Sequence, residues 1–271
     1  MNGRSIFAII RKDLKVVSQN KGVVIPFIIV FLVFFVGIPA LSAFVPAFVE
    51  STDVSSGDAE KLINQMPAGL QQELSGLDMN QKVTVVFLVH MMAPMFLIVP
   101  LMVAITVAAD SFAGEKERKT MEALLYTPTT DRELFVAKLL SAWLAAVAMA
   151  IVGFGVYTVA ANAAAWSQMG RIFFPNFMWL VMIIWVIPAV AGLGISVMVL
   201  ASARAQGYQD AYQIGGVVVL PVVGLFYAQV AGVMYFNIGV VLLLGLVIWL
   251  LTGLLIWLGS RSFRRNRLLG A

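Results

Sequence analysis

The chain has 271 residues, of which 61% are hydrophobic and only 12% charged, about half the charged share of an ordinary soluble domain. Its net charge of +4 would suggest an acidic partner if it were spread over a soluble surface. The charges are instead confined to a few stretches between long charge-free runs, which excludes a soluble surface and accounts for the balance by topology, with no nucleic-acid partner. There is no cysteine, so disulfides and thiolate metal sites are excluded too.

Residues 1–21 place Ile6, Ile9, Ile10, Leu14 and Val17 at helical spacing opposite Arg11, Lys12 and Lys15. The pattern predicts an amphipathic helix lying in the membrane interface, with a corner at Gly22. A bilayer core of ~30 Å needs about 20 apolar residues in a helix. Runs meeting that length cover 22–49, 83–109 (interrupted only by His90), 139–170, 172–203 and 211–260. The first exceeds the ~7–15 residue core of a secretory signal, so it is expected to remain as a span. The last is long enough for two helices with a turn near Tyr235, Asn237 and Gly239. Six spans are predicted, in a single all-α transmembrane domain over 1–271.

Counting Lys and Arg gives fifteen on one side of these spans and three, Lys61, Lys82 and Arg171, on the other. The richer side is expected to be cytoplasmic. Both termini are then expected in the cytoplasm, with the spans in a bacterial or archaeal inner membrane. The loop 50–82 lies outside, with six acidic residues.

The loop 110–138 carries the most information. Within 115–128, Met121, Leu124 and Leu125 make one apolar face, and Glu115, Lys116, Glu117, Arg118 and Glu122 crowd the rest. Pro128 ends this helix, and Thr130 with Glu133 forms a capping box for the next. Such a short charged helix between two spans suits docking onto a partner. The sequence 114–120 ends in Lys-Thr like a phosphate loop but lacks its second glycine and follows an apolar span. Leu74-Ser75-Gly76 starts like an ATPase signature and departs after three residues. No segment between spans reaches the ~50 residues of an independent domain, so a catalytic module would have to come from another chain.

At this loop the chain resembles the permease subunits of type-2 ABC exporters, whose first cytoplasmic loop reads approximately E-K-E-x-G-T-x-E-x-L-L-x-x-P and ends at a lysine before an apolar run. Here the loop reads EKERKTMEALLYTP with Lys138 before LLSAWLAAV, and IIRKDLKVVSQNKG looks like the family's opening. Lys119 stands where the family usually has glycine. The resemblance implies an ATP-driven exporter subunit that is not itself an enzyme. It would pair with a second permease copy or a homologous permease and sit on two ATPase subunits that bind the ATP and Mg. Glu115, Lys116, Glu117, Arg118, Thr120, Met121, Glu122, Leu125 and Pro128 would form the coupling helix on the ATPase, with Arg11, Lys12 and Asp13 of the interfacial helix nearby. It also implies short elements dipping in from the outer face, for which 222–236 fits.

An ion-coupled carrier is the alternative, but it would need charged groups inside the spans, and the runs offer only His90 besides tyrosines. His90 with Met91, Met92 and Met95 could make a soft-metal site. Packing is the default for such residues among 14 methionines. Ala142, Ala146 and Ala150, with Gly153, Gly155, Gly192 and Gly194, offer small surfaces for close helix approach inside a bundle or between chains. Asn162, Gln168, Gln213 and Gln229 are compatible with lipidic or amphipathic cargo, which the sequence does not specify further.

Overall fold

The computed structural model describes residues 3–44, 66–118, 130–205 and 207–262. All of its regular structure there is helical, and six helices are long and apolar enough to cross a membrane. In chain order, helix α1 spans Gly3–Gln19 and the first span, α2, Lys21–Phe44. A short helix, α3, covers Ala68–Glu73. The second span, α4, is Met79–Glu117 and the third, α5, Asp131–Ala164. One more short turn, α6, covers Trp166–Met169. The last three spans are α7, Phe177–Arg204, α8, Tyr208–Val230, and α9, Ile238–Ser262.

The corner into the first span falls at Asn20, not Gly22. Asn20 leaves the helical region (φ −82°, ψ 95°) and its side chain accepts the Gly22 N–H at 3.1 Å, a polar cap of the kind that starts helices. Thr130 and Glu133 do form the expected capping box: the Thr130 hydroxyl accepts the Glu133 N–H at 3.3 Å and the Glu133 carboxylate accepts the Thr130 N–H at 3.0 Å. The run 211–260 divides as expected, with a turn through 231–237. Of residues 222–236, offered as an element dipping in from the outer face, 222–230 belong to the helix Val219–Val230, which follows Tyr208–Gly216 after a turn at 217–218, and the rest lie in the turn before α9.

Spans differ in how much they bury. The most apolar stretch of α4 is 78% buried and that of α7 56%, against 11% for α2, 28% for α5, 17% for α8 and 22% for α9. The second span is therefore the axis of the bundle and the others wrap it. Small residues let them close in. Ala142, Ala146 and Ala150 are fully buried, Gly153 faces the ring of Phe35, Gly192 faces Thr252, and Gly194 faces Leu101 and Ile105. Within the chain, then, these stripes serve helix packing; only Gly155 of the set has open space beside it.

The α4 helix is not regular. It widens into a π-helical turn at Val86–Met91 and again at Asp110–Gly114. Such bulges take main-chain carbonyls out of the ordinary ladder and recur at functional sites. At the first bulge the Tyr157 hydroxyl donates to the Leu88 carbonyl at 2.7 Å and the Trp179 indole N–H to that of Val89 at 2.8 Å. Trp179 is fully buried, stacked on Tyr157 and edge-on to Phe96 and Phe174. Asn162 pins the chain before α7, accepting from Phe173 N–H at 3.0 Å and donating to the Phe174 carbonyl at 2.7 Å. Gln168 is likewise engaged, with Thr84 and the Ser42 carbonyl. Those two polar side chains hold loops together, Gln213 is exposed, and Gln229 is buried with no hydrogen-bond partner among the described residues.

Candidate functional site: a buried charge cluster at one end of the bundle

The apolar stripe of α1 packs on protein: Ile9 and Ile10 are buried against Leu134 and Ala137 of α5, with Ile6 and Leu14 beside them. Periodicity alone cannot tell a stripe that faces a neighbouring helix from one that faces lipid. The same buried face carries Asp13, and Lys12 flanks it, so both reach the end of the second span.

There the second π-turn carries Asp110 and Ser111, and Glu115 follows one turn later. Glu115 is 4% exposed and Lys138 fully buried. The Lys138 ammonium lies 2.5 Å from Glu115 Oε2, donates to the Ser111 carbonyl at 2.6 Å and sits 5.7 Å from the centre of the Phe112 ring. Lys12 takes the other Glu115 oxygen and reaches Asp13 at 3.3 Å. Asp13, itself buried, accepts from the Ser111 and Ser141 hydroxyls, each at 3.3 Å. Arg118 closes the group by pairing with Asp110 at 2.9 Å.

Three cations face three anions in this cluster, and a small cavity of about 150 Å³ lies among them. Charges this deep are tolerable only when paired and hydrogen-bonded. Burial lowers the Lys12 pKa, but its bond to Glu115 and the charges of Glu115 and Asp13 outweigh that and leave it raised. Arg118 is raised as well, chiefly by Asp110. One carboxylate, Glu115, thus ties α1, the end of α4 and the start of α5 together.

Glu117, two residues on, connects a fourth helix. Its carboxylate accepts the Tyr208 N–H at 2.8 Å, at the N-terminus of the fifth span, where free N–H groups and the helix dipole favour an anion. Gly207 permits that approach, since a Cβ there would lie 2.7 Å from the Glu117 oxygen.

Of the residues picked out from the sequence, Lys12, Asp13 and Glu115 come together and Arg118 joins them through Asp110. Glu115 points into the chain, while Lys116, Glu117 and Arg118 stand at the surface, as does Arg11. Thr120, Met121, Glu122, Leu125 and Pro128 lie outside the described residues. The sequence marked Lys138 only as the end of the loop motif, with no partner for it, and passed over Asp110, Ser111 and Ser141. The available signal was Lys138 itself, a charge set seven residues into a capped helix and directly before an apolar run, where it must find a partner.

The profile of the ABC-2 family transporter proteins matches residues 7–266. The chain belongs to that family. Nearly all of the described structure, from α1 to the last span, falls inside the match, and so does the charge cluster. As an ABC-2 transporter chain it is a membrane transport subunit and not itself a catalyst, of the kind that works with ABC ATPases. No curated protein shows significant similarity to it.

Proposed function

We propose that this ABC-2 chain is the membrane-spanning half of an ATP-driven exporter, moving its cargo outward with energy from two separate ATPase subunits that carry the ATP and Mg. The observation that carries the reading is the Glu115 cluster. The charged loop that follows the second span leaves the bundle from a point bonded to α1, α4 and α5 at once, and through Glu117 to α8. A push from a partner on residues 115–118 would therefore reach four helices, as a coupling helix requires. The fifteen-to-three split of Lys and Arg supports a cytoplasmic position for this end and for both termini.

The described charged side chains that are buried, Asp13, Asp110, Glu115, Glu133 and Lys138, all gather at this end. An ion-coupled carrier would want some of them at the middle of the membrane, so the ATP-driven reading is favoured. A second permease, the same chain or a homologue, completes the assembly in this proposal. The exposed apolar surfaces of α2, α8 and α9 remain for it and for lipid.

The test reverses charge in the loop that follows the second span. Lys116→Glu with Glu122→Lys should cut copurification with the partner ATPase at least about tenfold, since like charges set across an interface cost several kcal/mol. Reversing Glu60 in the loop at the other end should leave it unchanged. Undiminished copurification of the double variant would return residues 115–128 to an ordinary solvated loop.

A further inference from the structure

The first π-turn of α4 carries His90 at the end of the bundle away from α1, and the imidazole is 3% exposed. Its Nδ1 lies 3.1 Å from the carbonyl oxygen of Phe236. A carbonyl only accepts, so Nδ1 holds a proton, and in the neutral ring Nε2 is then a bare acceptor. That Nε2 has no hydrogen-bond partner among the described residues. It faces Glu73 Oε2 of α3 at 3.5 Å, and the carboxylate is an acceptor too. The other Glu73 oxygen accepts from the Asn176 amide at 3.4 Å. Two acceptors thus face one another across a gap that a positively charged donor would fill.

The gap opens into a cavity of about 430 Å³ whose walls include Phe177, Tyr235 and Phe236. That space suits a small organic molecule with a polar head and an apolar body. Aromatic faces also attract cations. A bare metal ion fits less well: no three His, Cys, Asp or Glu side chains converge among the described residues. We infer that this pocket binds an organic ammonium, whose N–H groups bridge Glu73 and His90 Nε2 while its apolar part rests against Phe177, Tyr235 and Phe236. The residues named all belong to this chain, and binding here is tested without the ATPase, so it can fail separately from the proposed coupling.

The test uses the full chain in lipid nanodiscs at pH 8, with benzylammonium as probe and benzyl alcohol as its neutral counterpart, followed by saturation-transfer NMR. Benzylammonium should bind saturably and the alcohol at least about tenfold more weakly, the usual scale of a hydrogen bond to a charged group. Glu73→Gln, a half-exposed and nearly isosteric change, should remove the preference for the ammonium while the melting temperature is kept. Equal binding of alcohol and ammonium, no saturable binding, or indifference to Glu73→Gln would each overturn the inference. So would stoichiometric zinc binding that depends on Glu73 and His90 without any benzylammonium binding.

Discussion

Lys138 is the side chain on which the cluster depends most, since it is fully enclosed and its partners are Glu115, the Ser111 carbonyl and the Phe112 ring. Lys138→Met keeps the length and removes the charge, leaving Glu115 under-compensated. Breaking a buried pair from one side costs about 3–5 kcal/mol. Adding Glu115→Gln should restore part of that, because the stranded charge is gone. Melting of the purified single and double variants, read as a double-mutant cycle, checks this; simple additivity would mean the two groups are not coupled. Lys12 responds to pH in a defined direction. Its pKa is raised above 10.5, so its contribution is complete below that value and is lost only as the pH climbs through the folded one. A fluorophore on α1 should report unchanged docking across neutral pH and release only in strong alkali. Loss of docking near pH 8 would contradict the pairing.

At the level of the helix, the packing of α5 against α2 can be tested with two glycines on one turn. Gly153 meets the buried Phe35 ring, which is hemmed in by Phe31 and Phe96, so Gly153→Ala should destabilise by roughly 1–3 kcal/mol through overpacking. Gly155 has open space, and Gly155→Ala should be tolerated. Equal melting temperatures for the two variants would disprove close packing at Gly153. The same helices show what was readable beforehand. Spans, the capping box at Thr130 and the alanine stripe follow from charge-free length, local capping chemistry and side-chain size, all of which are local properties. The two π-turns of α4 were not readable: apolar residues run right through the first, and a single inserted residue leaves no compositional trace. Because the bulges decide which way Ser111, Glu115 and His90 point, the contacts among distant residues were hidden with them. Lys12, Asp13 and Glu115 were picked out as neighbours of a partner, yet their partners inside the chain, Lys138 and Ser141, are more than a hundred residues from α1.

For the whole molecule, the absence of cysteine makes topology directly measurable. With Ser56→Cys and Arg267→Cys as single thiols, an impermeant reagent applied to intact cells should label the first and not the second; labelling at Arg267 would invert the proposed orientation. Once orientation is set, the unequal burial of the spans acquires a consequence for the surrounding lipid. The second span, 39 residues or about 58 Å long at ~1.5 Å per residue, is sheltered and need not match the bilayer. The outer spans must match it, and a helix longer than the hydrocarbon layer tilts to fit. The third span has 34 residues and is only 28% buried along its most apolar stretch. It also carries Lys138. In thinner membranes it must lean over while its partner Glu115 stays upright, so bilayer thickness becomes a mechanical load on one buried ion pair, readable as a melting temperature that varies with lipid chain length and ceases to vary when Lys138 and Glu115 are both neutral.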